Sequence, residues 1–204
     1  MTEIADMPEY RIEWPDADTI TVNTTRMEKP LEVMAYICKS RKLRMGNDNY
    51  HIFINSVQGI STIIRLAGLK VGDCRIVCSQ SEDAKEKNEK KLPDGFTVQT
   101  TVDPVRLFNF YTATCFEGQD ISDPNGRTFI VSEGNKDHTK IDISTTLLQI
   151  CGRIRDSKYG TEINQYYSTS PYRDVSPDEF KASVMEELKA AEESAAIFNQ
   201  IPEG

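Results

Sequence analysis

The strongest constraint in this 204-residue sequence is an alternation, between residues 50 and 154, of short apolar runs with longer amphipathic or charged stretches. Tyr50–Asn55 (YHIFIN), Cys74–Cys78 (CRIVC), Phe96–Thr100, Leu107–Thr112 (LFNFYT) and Arg127–Ser132 (RTFIVS) have the length and the apolar content of buried strands. Between them, Gln58–Gly68 has helical spacing and closes on glycine, and Glu82–Lys91 reads as an exposed, charged helix. Ile143–Ile154 reads as a third helix, with Ile143, Leu147, Ile150, Cys151 and Ile154 on its inner side and Asp142 or Ser144 to cap it. Strands alternating with helices predict an α/β fold, a mainly parallel sheet with helices on both faces. Such sheets meet ligands at the carboxyl ends of their strands. Here those ends carry Asn55-Ser56, Ser79-Gln80, Thr112-Ala113-Thr114 and Ser132-Glu133-Gly134, small and polar as a phosphate-facing rim needs.

The flanks read differently. Residues 1–28 form a linker segment with β-prone runs at Tyr10–Trp14 and Thr19–Asn23, and helical spacing begins at Pro30 and runs to Arg44. The main domain is expected over residues 29–170, with a further strand at Asn164–Ser168. Residues 171–204 are an acidic C-terminal helix opened by Ser176-Pro177-Asp178-Glu179, which combines a capping serine, a proline at the first position and a glutamate three residues on.

Charge narrows the partners. The net charge is −8, and residues 176–204 supply −5 of it, so the preceding body is only mildly acidic. It holds local basic groups at Arg41, Lys42 and Arg44, at Lys85, Lys87, Lys90 and Lys91, and at Arg153, Arg155 and Lys158. Such a body can touch phosphates locally without coating duplex DNA indiscriminately. No stretch has the length of a membrane span and no secretory leader is recognisable, so a cytoplasmic protein without membrane contact is expected. The five cysteines, an odd number mostly inside apolar runs, predict free buried thiols. Cys38-x5-Arg44 has the bare spacing of a phosphatase loop but lies in a helical, basic run. Cys74-x3-Cys78 with His51 or His138 falls short of a zinc site, because paired ligand loops are absent; no metal ligands are assigned.

Two segments carry chemistry. Thr112-Ala113-Thr114-Cys115-Phe116-Glu117-Gly118-Gln119-Asp120-Ile121 follows an apolar run, and Gln149-Ile150-Cys151-Gly152-Arg153-Ile154-Arg155-Asp156 ends an amphipathic one. They resemble motifs V and VI of superfamily 2 (DEAD-like) helicases, and Phe53-Ile54-Asn55-Ser56 resembles motif IV, in the same order, over about residues 50–160. The resemblance implies the C-terminal, RecA-like lobe: a three-layer α/β/α domain with a mainly parallel sheet. It implies that Arg155 and Arg153 reach the γ-phosphate of ATP, one of them as the finger, and that Gln149 senses the nucleotide. Asp120, Gly118 and Gly152 would shape the nucleotide side, and Asn55, Ser56, Thr112 and Thr114 would grip a nucleic-acid backbone. A planar guanidinium supplied to a transferring phosphoryl group accelerates transfer by about 10³–10⁵.

The motif VI form departs from the commoner Gln-x-x-Gly-Arg-x-x-Arg. The second arginine stands at the seventh position and Asp156 at the eighth, a form similar to that of origin-binding-protein-like helicases, which implies DNA replication. Arg155 is the preferred finger. The sequence has no Gly-x4-Gly-Lys-Ser/Thr and no Asp-Glu box after a strand. ATP and Mg²⁺ would therefore be bound mainly by an upstream RecA-like lobe of the same parent chain, with single-stranded DNA or RNA as the other partner. This chain alone is expected to be inactive. The alternative is a stand-alone, non-catalytic RecA-like module that binds nucleic acid or protein.

Overall fold

A computed structural model describes residues 19–116, 119–143, 145–169 and 176–198. The Tyr10–Trp14 run, Gly118 and Ser144 lie outside the described residues. Contacts divide the chain into two units, Met1–Thr169 and Ser170–Gly204.

The first unit is built on a six-stranded sheet. Its strands are β1 (Thr21–Arg26), β2 (Asn49–Phe53), β3 (Cys74–Val77), β4 (Phe108–Tyr111), β6 (Gly126–Ser132) and β8 (Glu162–Tyr167), in the order β1-β8-β6-β2-β4-β3. Every pairing is parallel. A separate ribbon pairs β5 (Ile121–Ser122) with β7 (Ile154–Arg155). The helices are α1 (Pro30–Leu43), α2 (Val57–Ala67), α3 (Glu82–Glu89) and α4 (Thr146–Cys151).

Alternation along the strands makes two cores. Ile52, Ile54, Ile76, Phe108, Phe110, Phe129 and Val131 face α1 and α2, where Met34, Cys38, Ile60, Ile63 and Ile64 close over them. The next residue along each strand faces the other way. Phe53, Val77, Tyr111, Ile130 and Ile163 pack with Leu147 and Ile150 of α4 and with Ile121 and Ile154 of the ribbon. Helices thus cover both faces of a parallel sheet, the RecA-like three-layer α/β/α architecture that the strand–helix alternation implies.

α2 begins and ends as its sequence dictates. The Ser56 hydroxyl accepts the Gly59 N–H at 3.0 Å, and Gly68 terminates the helix at φ 62°, a left-handed conformation that favours glycine. In the second unit α5 (Pro177–Phe198) opens with the reciprocal cap: the Glu179 N–H donates to the Ser176 hydroxyl, and the Glu179 carboxylate accepts from the Ser176 backbone N–H.

Four expectations change. Residues 96–100 form no strand, only a single bridge between Val77 and Gln99, because the Thr100 N–H turns to the Asp103 carboxylate and the Gln80 amide takes the Gln99 carbonyl. The helix expected over 143–154 contracts to α4: Ile143 is 74% exposed, and Ile154 pairs with Ile121 in the ribbon. The edge strand β1 falls inside the segment read as a linker, N-terminal to the expected boundary at residue 29. Arg41 and Lys42 are also not a phosphate-touching group. Arg41 is buried and donates to the carbonyls of Asp48, Gly46 and Arg44, stapling the loop after α1, while Lys42 pairs with Asp73 at 2.6 Å.

Candidate functional site

β2 and β6 are neighbours, but the chain leaves them toward opposite faces, from β2 into α2 and from β6 toward α4. The loops diverge there and leave a crevice at the carboxyl edge, the place where α/β sheets bind ligands. A cleft of about 390 Å³ opens over the carboxyl ends of β2, β4 and β3, lined by Asn55, Ser56, Thr112 and Thr114 with Ser79 and Lys91, and His138 from the loop after β6 stands at its side. Asn55 ties the rim together. Its amide donates to the His138 carbonyl at 2.7 Å and its side-chain oxygen accepts from the Ala113 N–H at 3.2 Å, so the loops after β2, β4 and β6 are fastened to one side chain. The Thr112 and Thr114 hydroxyls stand 3.3 Å apart. The Ser56 oxygen is occupied by the α2 cap, which leaves its O–H proton free to donate into the cleft. Four residues chosen from sequence are therefore brought to one surface.

The arginines form a second cluster. The Ile121 N–H donates to the Arg153 carbonyl at 2.9 Å and the Asp123 N–H to the Arg155 carbonyl at 3.1 Å, which lays the end of the 112–120 loop beside the segment after α4. Asp120 consequently meets both guanidinium groups, Arg153 at 3.5 Å and Arg155 at 3.4 Å. The two arginines differ. Arg153 has 16% of its side chain exposed and also donates to the Gln149 and Gln119 carbonyls, whereas Arg155 is 55% exposed and has Asp120 as its ion-pair partner. A Cβ on Gly152 would lie 3.9 Å from the Arg155 guanidinium, so the glycine is where the arginine crosses its own backbone. The Gln149 side-chain oxygen is buried and accepts no hydrogen bond among the described residues. Asp156 has φ 61° and accepts from Ser122 at 2.7 Å. The chain therefore turns sharply at the eighth motif position.

Beneath these clusters runs a buried polar chain that the sequence reading missed. His51 has no exposed surface; its Nε2 lies 2.8 Å from the Asp123 carboxylate and its Nδ1 2.9 Å from the Tyr111 hydroxyl. Arg75, 1% exposed, donates to the Tyr111 oxygen at 2.5 Å, and Asn49 donates to Asp123 at 3.0 Å. Burial holds the His51 imidazole below its ordinary pKa despite the carboxylate beside it. Asp123 lies below its ordinary value too; burial opposes ionisation, but donors from His51, the Asn125 backbone and Asn49 outweigh it. The signal was present in the strand alternation. His51, Arg75 and Tyr111 occupy the same-facing positions of YHIFIN, CRIVC and LFNFYT, three polar-tipped residues on one buried face.

The five cysteines are unpaired, four of them buried, and burial raises the Cys74 thiol to about 12 and the Cys78 thiol to about 11, so they are poor nucleophiles. Cys74 and Cys78 face α1 and α2, on the opposite side of the sheet from His51. No helix among the described residues is long and apolar enough to cross a membrane.

Compared with models of known families, with curated proteins and with solved structures, the chain matches none. The architecture defines its class, an α/β protein of RecA-like layering.

Proposed function

We propose that this chain is the second, motif IV–VI lobe of a superfamily 2 ATP-dependent nucleic-acid helicase or translocase. One observation carries the reading. The single segment 112–120 lines the carboxyl-edge cleft at Thr112 and Thr114 and, at its other end, presents Asp120 to both Arg153 and Arg155. A motor must couple nucleotide state to grip on a strand, and a loop shared between the two places is a physical means of doing so.

In this reading ATP and Mg²⁺ are held mainly by an upstream RecA-like lobe of the parent chain, because these 204 residues contain no P-loop. Arg155 is the finger. It is the more exposed of the pair, and Asp120 stores it until negative charge on the γ-phosphoryl oxygens competes for it. Arg153, anchored to the Gln149 carbonyl, contributes positive charge from a fixed position. The buried Gln149 oxygen, lacking a donor among the described residues, fits a contact completed when the lobes close. At the cleft, Thr112, Thr114, Ser56 and Lys91 supply hydroxyl donors and one cation to the phosphates of single-stranded DNA or RNA, contacts that carry little base specificity.

The test is nucleic-acid-stimulated ATP hydrolysis by the full parent chain, wild type against Arg155→Ala. The expected result is a loss of at least about 100-fold with nucleotide binding retained. Unchanged hydrolysis transfers the finger role to Arg153. A wild type that does not hydrolyse ATP replaces the motor with a non-catalytic RecA-like binding module.

A further inference from the structure

Both strands of the β5–β7 ribbon are two residues long, and a ribbon that short has no stability of its own. Its position must be set from outside. The apolar contribution comes from Ile121 and Ile154, both buried, with Ile154 against Gly126, where an added Cβ would stand 2.7 Å from Ile154. The polar contribution converges on Asp123. Its N–H holds the Arg155 carbonyl at 3.1 Å, and its carboxylate is held by His51 at 2.8 Å, by Asn49 at 3.0 Å and by the Asn125 N–H at 2.9 Å. His51 in turn cannot move. It is fully buried, stacked on Tyr111 at an interplanar angle of 4° and bonded to its hydroxyl, and Gly126 leaves room for nothing larger than hydrogen against the imidazole, since a Cβ there would lie 2.9 Å from Nε2.

We propose that Asp123, clamped by His51, is a positioning residue for the arginine strand: it fixes the backbone of Arg155, and through the paired ribbon that of Arg153, against the β2–β6 core. Neither His51 nor Asp123 touches the arginine side chains in any hydrogen bond or ion pair of the described residues; they act through the backbone. The consequence for a nucleotide rests on the reading of Arg153 and Arg155 given above, whereas the positioning itself does not.

Amide hydrogen exchange tests it directly. In Asp123→Ala the amides of Ile121 and residue 123 lose protection by about tenfold or more, while Ile52 and Phe110 in the central sheet keep theirs. Asp123→Asn, which retains an acceptor for the imidazole N–H, restores most of the loss. Unchanged protection at Ile121 in Asp123→Ala overturns the proposal. So does a loss shared equally with Ile52 and Phe110, since that is general destabilisation. Should Asp123→Ala fail to fold, wild type supplies the same comparison by pH. Among the described residues the charged or titratable groups facing His51 are Asp123, Arg75 and Tyr111. When the ribbon opens, His51 is freed to take up a proton that the closed fold refuses, so protection at Ile121 and Asp123 falls ahead of the sheet amides as pH drops below His51's ordinary 6.5. Simultaneous loss overturns the proposal. Hydrolysis by the parent chain separates the two claims. If Arg155→Ala leaves turnover intact while the exchange result holds, the arginine reading fails and the positioning stands. If Arg155→Ala abolishes turnover while Asp123→Ala hydrolyses normally with Ile121 still protected, the positioning fails.

Discussion

A histidine without exposed surface, set between a carboxylate and a phenol, has one arrangement of protons that satisfies all its partners. Asp123 can only accept, so the proton of neutral His51 sits on Nε2, and Nδ1 accepts from the Tyr111 O–H. The Tyr111 oxygen then accepts from Arg75. Every donor points the same way, from Arg75 through Tyr111 and His51 to Asp123. A second proton on the imidazole would force two donors onto the Tyr111 oxygen and leave the phenol proton without an acceptor. This geometry agrees with the lowered pKa of His51. The sign of its pH dependence follows. Below its ordinary 6.5 the unfolded chain takes up a proton that the folded chain refuses, so stability falls as pH drops from about 6.5. Asp123, held below 3.8, acts in the same direction at lower pH: its contribution is full above 3.8 and is lost as pH falls through the depressed value. Urea midpoints measured between pH 8 and pH 5 should decline in wild type and decline less in His51→Gln. Gly126→Ala is the sharper test of crowding. Its methyl group would meet Ile154 and His51 at once, and a loss of about 1–3 kcal/mol is expected from denaturant unfolding. None of this chain was legible as a chain. Sequence alternation shows that His51, Arg75 and Tyr111 share the inward face of three strands, but which strands are neighbours is a tertiary fact.

At the scale of elements, legibility followed local signals. α2 was readable from its helical spacing and its closing Gly68, and α5 because Ser176, Pro177 and Glu179 coincide, whereas the cap that Ser56 gives α2 was not read. Ser56→Ala removes the acceptor for the Gly59 N–H and should cost about 1 kcal/mol in thermal unfolding. If Ser56 also donates into the cleft, Ser56→Ala weakens single-strand binding beyond what that stability loss explains. Elsewhere the apolar periodicity misled. Ile143 and Ile154 lie at helical spacing from Leu147 and Ile150, yet one is exposed and the other joins a strand, since the end of an apolar pattern does not mark the end of a helix. The 96–100 run failed because its neighbours offer competing partners: Asp103 caps the Thr100 N–H, and the Gln80 amide takes the Gln99 carbonyl.

The whole molecule sets limits that no single site reveals. Its net charge is −8, and among the described residues Lys91 is the one lysine lining the cleft. A strand gripped there releases few counterions. The logarithm of its binding constant should fall with the logarithm of salt at a slope of only about −1, flattening toward zero in Lys91→Ala. A slope several times steeper would move the nucleic-acid surface away from the cleft. The parallel direction of the sheet could be anticipated from alternation, but the order β1-β8-β6-β2-β4-β3 could not, because the first and last strands pair across most of the chain. That pairing has a practical consequence for anyone dissecting this protein. Periodicity invites a cut before Pro30, where regular helical spacing starts, and such a cut discards β1. β1 is itself almost entirely exposed, which makes it look dispensable, but it occupies all six backbone positions along one side of β8. The shortened chain would keep its core and still be a poor reagent, with a bare parallel edge ready to recruit the same edge of another molecule. Expression of a chain starting at residue 19 against one starting at residue 29 should separate a monodisperse protein from one that self-associates.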